Sequence, residues 1–81
     1  MKQWNKYPRI RDLREDMDMN QTEFSKLLNM SQSGYSKYET GESDIPTAVL
    51  IRLAEIHQTS IDYLLGLTNE RYKKGTKENL G

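Results

Sequence analysis

Five side chains that form hydrogen bonds recur in the stretch MSQSGYSKYETG, residues 30–41, at a spacing that suits a helix. At about 100° per residue, they fall within an arc of about 140° on one side of that helix. They are Gln32, Ser33, Ser36, Lys37 and Thr40. The aromatic residues Tyr35 and Tyr38 fall on the opposite side, where they can be buried. The stretch therefore predicts a short helix with one apolar side and one side that offers amide, hydroxyl and ammonium groups.

The chemistry of this polar side matches the edges of nucleic-acid bases. A glutamine amide pairs with N6 and N7 of adenine, and a lysine ammonium pairs with O6 and N7 of guanine. Polar outer faces are also common on the surface helices of small domains, where they only contact solvent. The helix pattern by itself leaves both interpretations open, so the elements that position the helix have to be considered.

Other chemistries find little support in the sequence. The chain has no cysteine and a single histidine, His57, so a thiolate site is impossible and a histidine metal site is not expected. We predict that His57 is instead a half-buried core residue. The sequence contains no glycine-rich phosphate loop and no pattern of a nucleophile with a histidine and a carboxylate. It therefore predicts neither an enzyme nor a cofactor.

The length and charge of the chain predict one small domain with an uneven charge distribution. Eighty-one residues, of which 35% are hydrophobic, suffice for one compact domain. The net charge is zero, but residues 1–14 carry +4, residues 15–69 carry −6 and residues 70–81 carry +2. No apolar run approaches the roughly 18–20 residues of a membrane span, and the first residues lack the apolar core of a signal peptide. We therefore expect a cytoplasmic protein with two basic ends.

Helix start signals occur five times along the chain, and no period-two strand pattern occurs. The residues that start or cap the five predicted helices are Pro8, Asn20, Ser31, Pro46 and Ser60. Asn20 and Glu23 have the spacing of a capping box, in which each side chain accepts from the backbone of the other. The fifth helix is predicted over residues 61–65, closed by Gly66. The sequence thus predicts an all-α fold of five helices.

The same pattern predicts the core and the limits of the domain. Apolar residues repeat at helical spacing in the first two helices: Ile10, Leu13, Met17, Phe24, Leu27 and Leu28. We predict that residues 1–7 form a basic N-terminal arm, residues 8–68 the helical domain, and residues 69–81 a flexible basic C-terminal tail.

Two longer stretches resemble a known family. NQTEFSKLLNMSQSGYSKYETG is similar to the helix-turn-helix of the phage repressor and Cro-like proteins, also called the XRE family, and IPTAVLIRLAEIHQTSIDYLLGLT is similar to its last two helices. The resemblance covers residues 8–68. It implies a compact five-helix fold like that of lambda repressor. It also implies a bacterial or phage regulator, most simply a repressor. Such a protein would bind double-stranded DNA as a dimer on a palindromic operator and would read the major groove with residues 31–40.

The resemblance also implies roles for individual residues. Gln32 would read adenine, and Ser33, Ser36 and Lys37 match or adjoin further base-contacting positions. Asn20, Gln21 and Thr40 would contact phosphates, with Gln21 also bracing Gln32. Arg14 and Glu39 would form a structural ion pair. Further phosphate contacts are predicted from the charge of the arm, through Lys6 and Arg9, whereas the roles of Trp4 and of the tail stay open.

Several positions depart from the family pattern. Gly34 replaces a serine or threonine and is predicted to loosen the third helix. Glu42 and Asp44 occupy a loop that often carries lysine or arginine near phosphates. His57 stands where the family usually has a buried aromatic residue. The two carboxylates should repel the DNA backbone and weaken phosphate binding, whereas His57 should slightly weaken the core.

Two alternatives keep the fold but change the function. The chain could be a protein–protein interaction module with weak or no DNA binding, as the acidic middle segment favours. The retained polar residues Gln21, Gln32, Ser33 and Lys37 favour DNA binding over such a module. The chain could also be an antitoxin that binds both its own operator and a toxin, the toxin through the C-terminal tail.

Overall fold

Five short α-helices make up the protein in the computed structural model, which describes residues 6–71. The helices are α1 (Ile10–Asp16), α2 (Gln21–Leu27), α3 (Gln32–Thr40), α4 (Thr47–His57) and α5 (Ile61–Leu64). No strand occurs within these residues. The all-α, five-helix fold predicted from the sequence is therefore confirmed. No helix in this range is long and apolar enough to cross a membrane.

Side-chain caps define the ends of α2 and α3. The Asn20 side chain accepts from the Glu23 amide at 2.8 Å, and the Glu23 carboxylate accepts from the Asn20 amide at 2.9 Å, so the predicted capping box is present. After α2 the chain turns at Asn29, which has a positive φ of 56°. Ser31 then caps α3 through the Gly34 amide, and Gly41 ends it with a φ of 85°. Because both caps are local, the turn between α2 and α3 is fixed by sequence neighbours.

The remaining helices differ slightly from the sequence prediction. The first helix begins at Ile10 rather than at Pro8, because residues 8 and 9 form a turn before it. Pro46 precedes α4, and Ser60 caps α5 through the Tyr63 amide. The fifth helix ends at Leu64, one residue earlier than predicted, and Gly66 follows with a φ of 79°. A short last turn of this kind is common at helix ends.

One aromatic cluster forms the centre of the core. Tyr35 and Phe24 are fully buried, with ring centroids 5.3 Å apart, and connect α3 to α2. His57 also belongs to this cluster, because its ring stacks on that of Phe24. The two ring centroids lie 5.2 Å apart, with 5° between the planes. The predicted half-buried core histidine is therefore confirmed. The buried apolar residues are Tyr7, Ile10, Leu13, Phe24, Tyr35, Tyr38, Ile45, Leu53, Ala54 and Leu64.

The prediction that two particular residues lie in the core is wrong. Met17 and Leu27 are each 39% exposed. Met17 lies just past the last residue of α1, as its C-cap, so the helical spacing that predicted its burial does not extend to it. On α2 the buried position is taken by Ser25, whose hydroxyl donates to the carbonyl of Thr22 at 2.9 Å. A satisfied hydroxyl can be buried, so Leu27 is left near the surface.

Contacts distant in sequence fix both ends of the described chain. Tyr7 is buried, and its hydroxyl accepts from the Ile45 amide at 2.9 Å. At the other end, the Arg71 side chain forms an ion pair with Asp16 at 2.7 Å. The Thr59 hydroxyl donates to the Arg71 carbonyl. Trp4 and the tail beyond residue 71, whose roles the sequence leaves open, lie outside the described residues, and the division into arm, domain and tail stays a prediction.

Candidate nucleic-acid interface

The outer side of α3 presents the predicted polar residues to solvent. Gln32, Ser33 and Lys37 are exposed, and Ser36 is partly exposed. Tyr35 and Tyr38 are buried on the other side of the helix, as the helical spacing predicts. Burial also raises the pKa of Tyr35, so its hydroxyl stays neutral. The aromatic side thus fixes the rotation of α3, and the polar side is free to meet a ligand.

A buried ion pair lies directly behind this surface. Arg14 of α1 donates from Nε to Glu39 Oε2 at 2.7 Å and from Nη2 to Glu39 Oε1 at 3.1 Å. The two side chains are only 9% and 5% exposed. A third bond runs from Arg14 Nη1 to the carbonyl of Met19 at 2.8 Å. The pair that the family resemblance implies therefore ties α1, the α1–α2 connection and α3 together.

The ion pair is held in its charged form. Burial alone would raise the pKa of the Glu39 carboxyl, but hydrogen bonds from Arg14 and Gln21 outweigh it and keep the pKa below its ordinary value. The same contact raises the pKa of the Arg14 guanidinium. Because a bidentate, desolvated pair has both strong attraction and fixed geometry, it holds the end of α3 in one position.

Two glutamines connect this ion pair to the exposed side of α3. Gln21 of α2 donates from Nε2 to Glu39 Oε1 at 2.9 Å. Its Oε1 accepts from Nε2 of Gln32 at 2.6 Å. The contact between Gln21 and Gln32 is the brace that the resemblance implies. The bond from Gln21 to Glu39 was not expected from the sequence, since nothing in the spacing of two residues 18 positions apart indicates it.

Ser33 and Lys37 keep their polar groups available. Within the described part of the chain, neither side chain takes part in a hydrogen bond or an ion pair. Both lie on α3 beside Gln32, one and five positions further along. Ser33 and Lys37 can therefore contact a ligand without first giving up a partner, whereas the Nε2 of Gln32 is already bonded to Gln21.

The two predicted phosphate contacts that flank this surface have structural roles as well. Asn20 caps α2, so its side-chain oxygen is used by the Glu23 amide. Thr40 donates from Oγ1 to the Lys37 carbonyl at 3.2 Å and accepts from the Glu42 amide at 3.3 Å. Both residues remain exposed. An anion at these two positions would therefore have to be bound by the side-chain N–H groups of Asn20 and by the backbone near Thr40.

Lys6 and Arg9, the predicted phosphate contacts of the arm, are both engaged inside the fold. Lys6 forms an ion pair with Asp44, which also raises the pKa of this lysine. Arg9 lies over the ring of Tyr63 at 4.1 Å and donates to the carbonyl of Thr68 at 3.1 Å and to Oδ1 of Asn69 at 3.0 Å. A phosphate would have to displace these partners. The ion pair between Lys6 and Asp44, however, neutralises Asp44, which is one of the two carboxylates of the loop after α3.

The overall charge of the described residues is acidic. Residues 6–71 contain eight lysines and arginines and eleven aspartates and glutamates, a net charge of −3. Glu42 is exposed directly after α3. Among these residues no group of histidine, aspartate or glutamate side chains has the arrangement of a metal site. The polar surface of α3 therefore offers hydrogen-bond donors and acceptors on a domain whose described residues carry a net negative charge.

One further position limits the shape of α3. A Cβ atom added to Gly34 would lie 3.1 Å from the Ser31 Oγ and 3.2 Å from the Met30 Cε. These distances are shorter than ordinary van der Waals contact. The glycine therefore leaves room for the cap and for the methionine of the preceding turn. That it loosens the third helix stays a prediction.

Two helices joined by a four-residue turn, with the second presenting a polar side and the first bracing it, define a helix-turn-helix domain. A sequence model of the helix-turn-helix family matches residues 10–64, most of the chain. The chain belongs to this family, in its XRE type.

Two curated relatives from Bacillus subtilis (strain 168) carry the same domain. The uncharacterized HTH-type transcriptional regulator YobD is 31% identical over 72 residues, which are 89% of this chain and 64% of YobD. The HTH-type transcriptional regulator ImmR is 33% identical over 58 residues, which are 72% of this chain and 46% of ImmR. The chain thus spans about half to two thirds of the length of these relatives. No solved structure matches it.

Proposed function

We propose that this protein is a sequence-specific transcriptional regulator that binds double-stranded DNA, most simply a repressor. The observation that carries the proposal is the position of Gln32. Its exposed amide lies in the first turn of α3 and is held by Gln21 at 2.6 Å. In helix-turn-helix proteins, residues at the amino end of the second helix contact base edges in the major groove. Both relatives from Bacillus subtilis are named as transcriptional regulators, which supports the same function.

The proposed base and phosphate contacts follow from the exposure of each side chain and from the partners that it already has. Gln32, Ser33, Ser36 and Lys37 would contact bases, because they share the exposed side of α3. Asn20, Gln21 and Thr40 would contact phosphates at its borders. Lys6 and Arg9 would do so only after exchanging their present partners. Phosphate contacts set the register of the protein on DNA, and base contacts set the sequence that it prefers.

The proposed binding unit is a homodimer on a two-fold operator. One helix in the major groove reads only a few base pairs. Two half-sites about one helical turn apart supply the remaining specificity.

Selection from a pool of random duplexes tests the proposal. The expected result is enrichment of a palindromic sequence that the protein binds more tightly than a scrambled duplex of equal length. Sedimentation of the complex then gives the number of protein chains on each operator. Enrichment of no sequence at low salt would contradict the proposed function.

A second candidate function, binding to another protein, is tested by the same experiment. The acidic charge of residues 6–71 and the exposed Glu42 after α3 favour a domain that binds another protein and repels DNA. Such a domain would enrich no duplex at any salt concentration. Since the polar side of α3 would then have no DNA to contact, replacing Gln32 would leave the activity of the protein unchanged.

A further inference from the structure

A groove on the surface of the domain lies between α4 and α5. Its volume is about 350 Å³, which is near the lower end of the range of about 300–1,000 Å³ found for ligand pockets. Its apolar lining comes from Ile51 and Ala54 of α4 and from Ile61 of α5. Ile51 is 46% exposed, so the groove presents apolar surface to solvent.

The charged residues that line the groove are both acidic. Glu55 of α4 and Asp62 of α5 are exposed, and no lysine or arginine belongs to the lining among the described residues. Glu55 also lies 3.9 Å from Arg52, but solvent screens an exposed pair of this kind, so the carboxylate remains accessible. The groove therefore fits a segment that combines an apolar side chain with positive charge.

The described part of the chain ends beside this groove. Thr59 lines the groove and is fully buried, and its hydroxyl donates to the carbonyl of Arg71. A buried hydroxyl needs such a partner. Arg71 is held a second time by its ion pair with Asp16 at 2.7 Å. Two residues earlier, Asn69 Oδ1 accepts from Arg9 at 3.0 Å. The chain that follows residue 71 therefore leaves the domain next to the groove.

The residues that come next have the composition that the groove fits. Residues 72–77, YKKGTK, are called here the tail segment and contain one aromatic residue, three lysines and no acidic residue. Tyr72 follows Arg71 directly, and two of the lysines come after it. Six residues reach up to about 20 Å when extended. This is several times the rise of about 6 Å between Ile51 and Glu55 along α4, so the segment is long enough to cross the groove.

We propose that the groove between α4 and α5 binds the tail segment of the same chain, with Tyr72 against its apolar lining and the lysines beside its carboxylates. The connection to Arg71 favours the same chain over a second copy, because a tethered segment is present at a high effective concentration. The inference does not depend on DNA binding. It also means that a protein partner that takes up the tail has to displace it from the groove.

Paramagnetic broadening in the 81-residue chain tests the proposal. Because the chain has no cysteine, Thr76→Cys provides a single site for a nitroxide label in the tail segment. By NMR, the label should remove most of the intensity of the amide signals of Ile51, Glu55 and Ile61. A tail that leaves at Arg71 without binding the groove would also pass near it, so variants of the groove decide between the two.

Two variants remove the two features that the groove offers. Ile51→Gln removes exposed apolar surface and Glu55→Lys reverses a charge, and each should restore most of the lost intensity at Ile61. Leu27→Gln and Asp12→Lys make the same changes outside the groove, at exposed positions of α2 and α1, and should leave the broadening as it is. Thermal melts show whether each variant is folded. Unchanged broadening in both groove variants, or an equal recovery in the control variants, would overturn the proposal.

Salt provides the same test without a substitution in the groove. At about 1 M salt the screening length falls to about 3 Å, so the contacts of the lysines weaken. The broadening at Ile61 should therefore decrease as the salt concentration rises. Broadening that does not respond to salt would contradict the role of the two carboxylates.

A mixed sample distinguishes the same chain from a second copy. Isotope-labelled chains without nitroxide are mixed with nitroxide-labelled chains of natural isotopic abundance. We expect no broadening at Ile61 in this mixture. Broadening as strong as that within one chain would mean that the groove binds the tail segment of a second copy, and would overturn the proposal. The samples contain no DNA, so none of these outcomes bears on the proposed DNA-binding function.

Discussion

The ring of His57 lies parallel to that of Phe24, with 5.2 Å between the centroids and 5° between the planes. Its Nε2 is buried and has no hydrogen-bond partner among the described residues. Burial, together with the nearby charge of Arg71, lowers the pKa of His57 to about 4, against a smaller opposing effect of Asp16. The histidine is therefore neutral in the folded protein at neutral pH and acts as an aromatic core residue.

The stability of the protein should fall as the pH drops from 7 to 5. In the unfolded chain His57 has an ordinary pKa of 6.5, whereas folding lowers it to about 4, so the unfolded state binds the proton more readily. The free energy of unfolding should decrease by about 2 kcal/mol over this range. Glu39, whose pKa is also lowered, contributes only below its ordinary value of 4.5.

Urea unfolding at several pH values measures this decrease. His57→Phe is the matched variant, because phenylalanine keeps the stack on Phe24 and cannot take up a proton. Its stability should change much less between pH 7 and 5. Equal decreases in the two proteins would show that a group other than His57 titrates.

Removing one partner of the buried ion pair should destabilise the fold strongly. Glu39→Ala leaves the Arg14 guanidinium buried without its carboxylate, at a cost of about 3–5 kcal/mol. The exposed pair of Arg11 and Glu15, one turn apart on α1, provides the control. Arg11→Ala should cost less than about 0.5 kcal/mol, because solvent screens such pairs. Chemical unfolding at low salt gives both values, and similar losses in the two variants would contradict the structural role of Glu39.

Replacing Gln32 should weaken binding to the operator but not to random DNA. Gln32→Ala removes a bidentate contact worth about 1–3 kcal/mol against a wrong base, and should relax the preference at one position in each half-site. Fluorescence anisotropy with one operator and one scrambled duplex measures the effect. Equal losses of affinity for both duplexes would mean that Gln32 does not read a base and that the outer side of α3 is an ordinary polar surface.

Lys37→Ala should show the same loss of preference at a different base pair, with some general loss because a positive charge is removed. Lys26→Ala removes the same charge from the exposed end of α2. It should leave the base preference unchanged. If Lys26→Ala altered the preferred sequence as much as Lys37→Ala, the assignment of the reading surface to α3 would be wrong.

Releasing Lys6 from its ion pair should strengthen binding to all duplexes. Asp44→Asn removes a carboxylate from the loop after α3 and leaves Lys6 available for a phosphate. Each neutralised phosphate adds about 0.9 to the slope of log affinity against log salt, so the slope should steepen by about that amount for each binding chain. Asp62→Asn makes the same charge change on α5 and serves as the control. An identical slope in all three proteins would place Lys6 away from DNA.

The sequence by itself determined the helices of the helix-turn-helix and their caps. Asn20 with Glu23, and Ser31 with the Gly34 amide, are pairs three residues apart, so the bond between them forms as soon as the chain turns. The rotation of α3 was also predictable, because two buried tyrosines at helical spacing leave only one side for polar residues. The positions of Gln32 and Lys37 on the exposed side follow from that rotation.

Only the tertiary structure decided the partners of side chains that reach across the fold. The bond from Gln21 to Glu39 joins residues 18 positions apart, and that from Lys6 to Asp44 joins residues 38 apart. The exposure of Met17 could not be predicted from the sequence either, because it depends on where α1 ends relative to the other helices. A local pattern shows which side of a helix is apolar. It contains no information on which distant group will face a given side chain, because that depends on how all the helices pack together.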